Sequence, residues 1–464
     1  MDADRPCAFG KQVAVAVPLG IYSITSSMFY PVFQSLVFEK VCIVEAESHP
    51  NMSINCTSGM RSSRNTSIQT EANRVLLICS IVMCLLGAVS SAFVGRIGDL
   101  KSRKYALLIP FVGLILSDVT YIVQSYFMDL SVYWLVLSEA LFASFGGYMS
   151  IFSACFAYAC DSSVVSCERR SHAVAVLEGS IGLGGTVGFL ITFLLHIVGY
   201  NWVYSAFLVT HIVCLILIFF LPAFHHTPKE RSGQPKLSLF QHLMVPFVEG
   251  LSSTLVLILI LSFAISFFVF IGVTHILFYY LKYQFQWDAG MYGFLKGPVQ
   301  GLSTLATLLL YPFLRRKGIH DCYLALSGLI SRSLGAFWIA IAWSSGSVFI
   351  LILFDAFSRF APTGLRALLA NTVPVSVHGS MFALLAVTEA LCNLAAASVF
   401  HNIFPLTLNF LPQLSFIVMG AIMIIPCVLI WVVRKMFTIS VDGDQHPQDS
   451  SAEIVASSSS NMNE

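Results

Sequence analysis

The chain has 464 residues, 57% of them hydrophobic and only 11% charged, with a formal net charge of +1 and a mean hydropathy of +0.81. An ordinary soluble domain carries about 25% charged residues, so a water-soluble globular fold is excluded. The near-neutral balance and short basic clusters give no footprint for nucleic acid. Apolar runs long enough to cross a bilayer, ~20 residues, recur from one end to the other. We read about twelve, at 12–38, 75–96, 105–127, 132–158, 173–198, 203–223, 252–281, 289–314, 322–342, 348–370, 381–404 and 413–433. Backbone amides cannot stay unpaired in hydrocarbon, and the alternating segments of ~10 residues that a barrel needs are absent, so the spans are predicted as helices.

The first run is too long for a cleavable signal and is followed by further spans. After it, 39–74 is the one long loop on its side of the membrane. It holds three Asn-x-Ser/Thr acceptors, Asn51, Asn55 and Asn65, and two of the chain's twelve cysteines, Cys42 and Cys56. Between the second and third runs lies the tight basic loop Gly95-Arg96-Ile97-Gly98-Asp99-Leu100-Lys101-Ser102-Arg103-Lys104. Loops on the same side carry Arg169 and Arg170, then Arg315, Arg316 and Lys317. On the opposite side the loops near 128–131, 199–202, 343–347 and 405–412 contain no Lys or Arg, and 282–288 contains Lys282 alone. The positive-inside rule therefore makes the basic side cytoplasmic and places both termini there. The 39–74 loop is then exterior, glycosylated at its three acceptors and closed by a Cys42–Cys56 disulfide in an oxidising compartment.

The connection 224–251 divides the spans into six plus six. The expected organisation is an N-terminal six-helix bundle over 1–223 with its exterior loop 39–74, a cytoplasmic linker 224–251, a C-terminal six-helix bundle over 252–435 and a disordered cytoplasmic tail over 436–464. Arg315-Arg316-Lys317 followed by Asp321 repeats, in the second half, the position of the first basic loop.

Charges within apolar spans are expensive and point to function. Glu178, about one and a half turns into the fifth span, precedes a glycine-rich stretch whose Gly184 and Gly188 allow close helix packing. A carboxyl group there can load a proton on one face and release it on the other, or it can serve as a hydrogen-bonded packing group. Arg366, near the cytoplasmic end of the tenth span, can hold an anion bidentately or snorkel to the interface. Asp355 and Arg359 are four residues apart in acid-first order and are expected to neutralise each other. Asp118 and Glu139 are read equally as packing partners or pathway residues. His275 lies in mid-span with chemistry suited to physiological switching, although a lone histidine there is more often a hydrogen-bonded structural residue.

The basic loop resembles the one between helices two and three of major facilitator superfamily transporters: Asp99, Arg103 and Lys104 fall on that pattern, and Ser102 replaces its second Gly. Four further segments are similar to the solute-carrier family that contains the proton-coupled folate transporter and the thymic stromal cotransporter. They are Ala154 to Asp161, Ala175 to Gly182, Trp287-Asp288-Ala289 with Tyr292-Gly293, and Leu365-Arg366-Ala367 through Asn402 to Phe410 and on to Ile425-Pro426. The resemblance implies an all-α membrane protein of major facilitator type, with two six-helix bundles and alternating access. It implies proton coupling at Glu178, activity dependent on Asp161, substrate and proton binding at Arg366, and a cytoplasmic gate of Asp99, Arg103 and Lys104. The chain departs from the folate transporter at Phe270, where that protein has a His, at His275, where it has an Asp, and at Gln286, where it has a Cys that bonds the first exterior loop. Glu389 resembles other family members, and with His275 it joins Arg366 as a candidate substrate contact.

The expected function is proton-coupled symport of a small organic anion. The alternatives are a pH-independent facilitator or exchanger of the same fold, and a non-transporting receptor. No metalloprotease, intramembrane aspartyl or Ser/His constellation suggests an enzyme, and no phosphate-binding loop or metal-type Cys spacing suggests a cofactor. The expected partners are the anion, protons and membrane lipid, and the plasma membrane is expected ahead of the endolysosomal membrane.

Overall fold

The computed structural model describes residues 14–48, 56, 65–100, 102–161, 167–222, 253–372 and 378–435, and among these there is no strand. The first six spans are α1 (Ala16–Ser48), α2 (Thr66–Leu100), α3 (Arg103–Tyr126), the pair α4 (Leu135–Ser144) and α5 (Gly147–Asp161), α6 (Cys167–Ile191) and α7 (Leu195–Phe219). The second six are α8 (Ser253–Phe285), α9 (Ala289–Leu305) with α10 (Tyr311–Arg316), α11 (Asp321–Ile341), the broken run α12 (Ser345–Val348), α13 (Leu351–Phe354) and α14 (Phe360–Thr372), then α15 (His378–Thr407) and α16 (Leu414–Ile422). Ten spans among the described residues are long and apolar enough to cross a membrane. The expected spans at 289–314 and 348–370 are helical but interrupted.

A proline stands behind the π turn in the first and behind the 355–359 break in the second. A proline ring clashes with the carbonyl four residues earlier and removes a donor. Pro312 follows a π turn over Ala306–Leu310, which widens the helix where that clash would fall. Pro362 sits in the first turn of α14, and the preceding residues 355–359 form turns. Elsewhere the helices outrun the sequence expectation. α1 extends to Ser48 and α2 begins at Thr66, so the exterior loop expected over 39–74 shrinks to the residues between them. Hydrophobicity marks where the bilayer ends, whereas 39–48 carries polar residues that still favour helix. α6 likewise starts at Cys167, which puts Glu178 three turns into it.

Within the N-terminal half α1 packs on α6 and α7, and α3 on α7. The α1–α6 contact is a backbone approach: a Cβ at Gly188 would collide with the Ile24 carbonyl, and one at Gly184 with that of Gly20. Between halves, α6 packs along α9, and α2 along α15. We call the end carrying Arg103, Lys104 and Arg315–Lys317 the basic end and the other, carrying the Cys42–Cys56 disulfide, the disulfide end. One apolar core fills the C-terminal half and continues into the N-terminal half only through residues nearer the disulfide end, among them Val32, Leu36, Ala72, Leu76, Val132 and Tyr204. Toward the basic end the N-terminal half has a core of its own, built on Leu19, Tyr22, Leu107, Tyr158 and Ile218, and the other half has a separate small one of Tyr311, Leu324 and Phe360. Joined at one end and separate at the other, the halves diverge toward the basic loops.

Candidate functional site

Where the halves begin to separate, three charged side chains meet. Arg366 of α14 donates from Nη2 to Oε1 of Glu389 on α15 at 2.7 Å, and from Nη1 to Oε1 of Glu178 on α6 at 3.3 Å. Its guanidinium also lies over the Phe263 ring of α8, 5.5 Å from the centroid. Glu178 comes from the N-terminal half and the other two from the C-terminal half, so the guanidinium bridges them. The side chains are 39%, 33% and 24% exposed for Glu178, Arg366 and Glu389, so an acid from each half and the cation between them remain open to solvent. Two carboxylates compete for one guanidinium. Anything that neutralises one releases a donor edge of Arg366, and an incoming anion can take it.

Nearer the disulfide end, side chains from both halves form a buried polar network. His275 Nδ1 is 2.6 Å from the Tyr30 hydroxyl and 3.2 Å from His401 Nε2, while its Nε2 is 3.0 Å from Asn393 Oδ1. Asn393 donates to the Tyr148 hydroxyl at 2.9 Å, and His401 Nδ1 lies 2.9 Å from Asn73 Oδ1. Gln34 donates to the His275 carbonyl and accepts, through its own carbonyl, from Tyr279. Because α1, α2 and α5 supply one side and α8 and α15 the other, the network fastens the halves together there.

This placement corrects the expectation for His275. With both ring nitrogens engaged and 5% exposure, it belongs to the fastening and not to the open cluster of Arg366 and Glu389. The expected Asp355–Arg359 pair is also not made. Residues 355–359 do not form helix, so the four-residue spacing does not stack the two side chains, and no ion pair joins them among the described residues. Arg359 is subject instead to the opposite charge of Glu178 and the like charge of Arg366. Asp118 pairs with His211, Oδ2 to Nδ1 at 2.5 Å, and His211 Nε2 continues to Thr25 at 2.8 Å. Glu139 accepts from the Tyr121 hydroxyl. Both are buried and hydrogen-bonded inside the N-terminal bundle.

At the basic loop Ser102 caps α3, its Oγ accepting from the Lys104 amide at 3.3 Å, which is the task found for the residue that replaces a glycine in the pattern. Arg103 lies along Gly98, and Lys104 Nζ sits over the Phe219 ring and donates to the Phe219 carbonyl. Asp99 closes α2 and Asp161 closes α5, but their side chains lie outside the described residues, as do Asn51, Asn55, the linker and the tail. Asn65 caps α2, its Oδ1 accepting from the Ser67 amide at 2.9 Å. In the second half Asp321 accepts from Tyr311 at 2.8 Å and from Arg315 at 3.0 Å, which ties the equivalent loop to its helix.

Sequence reasoning missed Lys296, Arg332, Lys40, His211 and His401, although each stands in or beside an apolar run and the same criterion would have found it. Lys40 is fully buried and donates to the carbonyls of Phe127, Met128 and Leu130 at 3.0–3.2 Å, just where α3 ends. A cation there satisfies carbonyls that the helix leaves open and complements its dipole.

Residues 52–397 match the sequence profile of the Major Facilitator Superfamily. The chain is similar to a chicken lysosomal proton-coupled steroid conjugate and bile acid symporter, with 26% identity covering 91% of this chain and 94% of that protein. It is similar also to the rat proton-coupled folate transporter, with 27% identity covering 82% and 83%. Among solved structures it superposes on the human organic anion transporter TETRAN with a TM-score of 0.60 and 16% identity, over 91% of this chain and 99% of that one. The E. coli xylose transporter XylE gives a TM-score of 0.61 at 12% identity, over 91% and 97%.

Proposed function

The chain belongs to the major facilitator superfamily, and from that premise we propose that this transporter is a proton-coupled symporter of an organic anion. The observation that carries the proposal is the Glu178–Arg366–Glu389 bridge between the halves, half-exposed where their cores part. In this reading the basic end is cytoplasmic and the described state opens toward it. A proton from the opposite face neutralises Glu178, Arg366 turns a donor edge to the anion, and loss of the cross-half ion pair lets the two bundles rock. Release of the proton to the cytoplasm restores the bridge and expels the anion. Asp99, Arg103 and Lys104 act at the cytoplasmic gate, and Asp161 supports activity from the end of α5.

Each pH unit supplies ~1.4 kcal/mol per proton, about a tenfold solute gradient at one-to-one coupling. The sign is that uptake rises as the disulfide side becomes more acidic. The relatives named as lysosomal symporters lend the plasma membrane no preference, and we infer an endolysosomal membrane, whose lumen supplies that acidity. Anion classes follow the same relatives: steroid conjugates, bile acids or folates.

The test is uptake of a sulfated steroid into vesicles under an imposed pH step. Wild-type protein should concentrate it, and Glu178→Gln should reduce the acid stimulation to below about a tenth while counterflow exchange persists. Arg366→Ala should abolish both. Acid stimulation that survives in Glu178→Gln would sink the assignment of that residue, and uptake indifferent to pH in the wild type would favour a facilitator.

A further inference from the structure

The anion site reaches beyond Arg366. On α8, Phe263, Ser266 and Phe270 fall on one face, at the spacing of successive turns. Arg366 lies over the first of these, at Phe263. Two turns along, Arg332 of α11 lies over Phe270 at 4.8 Å and donates from Nη1 to the carbonyl and hydroxyl of Ser266 at 3.3 and 3.1 Å. Seven residues of helix separate the two contacts by about 10 Å. Between them stands Phe267, stacked on Phe263 and tilted against Phe270, with ring centroids about 6 Å from each, which is ordinary aromatic spacing. Phe263 is buried beneath Arg366, whereas Phe267 is partly exposed and Phe270 exposed, so the face of α8 between the two guanidinium groups is an aromatic rail open at Phe267 and Phe270.

The two guanidinium groups differ in how they are neutralised. Arg366 has Glu178 and Glu389. Among the described residues Arg332 makes no ion pair, and its buried Nε–H has no hydrogen-bond partner. The opposite charge acting on it is that of Asp355, which also faces Lys296 of α9, and Arg359 and Arg366 act against it. Four cations, Lys296, Arg332, Arg359 and Arg366, therefore share three carboxylates, Asp355, Glu178 and Glu389. Protonation of Glu178 widens the imbalance. A surplus of positive charge among membrane spans is costly unless an anion completes it.

We propose that Arg332, supported by Lys296, is a second anion-binding position, and that the preferred solute carries two acidic groups joined by a flat apolar skeleton lying along Phe267 and Phe270 between the two guanidinium groups. This rests on the transport reading above and narrows its substrate class. A monoanion would fill one end of the rail and leave the other cation uncompensated.

The test is direct binding to the full-length protein in lipid nanodiscs at acidic pH, with estradiol 3-sulfate against estradiol 3,17-disulfate, whose two anions stand at opposite ends of one rigid skeleton. The disulfate should bind at least about tenfold more tightly than the monosulfate, since charge-assisted hydrogen bonds form at both ends. In Arg332→Gln, and separately in Lys296→Gln, that advantage should fall to within about twofold, while Arg332→Lys should retain most of it. Each variant is checked for a cooperative melt. Equal affinity for the two sulfates in the wild type, an advantage that survives in both neutral variants, or binding of neither probe overturns the proposal. A disulfate advantage in binding combined with no pH-driven uptake of either probe leaves this position standing and overturns the symport reading instead.

Discussion

At the disulfide end, residues from both halves share one apolar core and one buried polar network, whereas at the basic end each half keeps its own core. The difference lies in the kind of contact as well as its amount. The disulfide end is closed by buried polar contacts of His275, His401, Asn393 and Tyr30, with Lys40 tying α1 to the end of α3. The junction with the open side is held by charges, Glu178, Arg366 and Glu389, that remain half-exposed. Partly exposed ion pairs contribute little to stability because water screens them, so on the proposed transport reading this bridge suits a contact that breaks in each cycle. A closed network of buried polar groups is strong when complete and weak when one member is lost, which on the proposed transport reading suits a gate that opens all at once.

The comparison can be broken from its strongest side first. His275→Ala with His401→Ala removes the hub of the network and strands Tyr30, Asn393 and Asn73. Buried polar groups left without partners cost about 1–3 kcal/mol each, so the closed disulfide end should lose on the order of 3 kcal/mol, roughly a hundredfold in population. Labelling of a cysteine placed at Ala72, buried in the core the halves share at that end and outside the polar network, by an impermeant thiol reagent from that side should rise accordingly, and unchanged labelling would show that the network does not hold the gate. Lys40→Met leaves three helix-end carbonyls open and should lower thermal stability by about 1–3 kcal/mol without altering the pH dependence of uptake. A shift in that dependence would give Lys40 a part in coupling. The smallest effect is expected at Ser102. Loss of the cap in Ser102→Ala should cost about 1 kcal/mol of local helix stability, and Ser102→Gly only a few tenths, readable as faster hydrogen exchange in the first turn of α3. Equal exchange in the two variants would deny the cap its role.

Much of this architecture is legible in the sequence. Span count follows from hydropathy, the basic end from Arg103 to Lys104 and Arg315 to Lys317, and the Cys42–Cys56 pair from the isolation of those two cysteines. Glu178, Arg366 and Glu389 can each be read as intramembrane charges. Their meeting cannot be read that way, because Glu178 and Arg366 lie 188 residues apart in different halves and are joined only by how the halves pack. His275 is undecided in the sequence for the same reason: a mid-span histidine can switch or fasten, and its partners His401 and Asn393 come to it only in the fold. Asp355 and Arg359 mislead for a local reason, since four-residue spacing means proximity only in unbroken helix and Pro362 ends the helix short of them.

The central claim is that the two ends open in opposition under control of the Glu178 proton. It is tested most directly by pulsed electron–electron distance measurements on the protein in lipid, with one spin-label pair at Tyr133 and Trp343 near the disulfide end and another at Tyr105 and Phe313 near the basic end, all four exposed. As pH is lowered the first distance should lengthen while the second shortens, and Glu178→Gln should show the acid pattern already at neutral pH. Distances that change together, or a pH response that is undiminished in Glu178→Gln, would contradict the account.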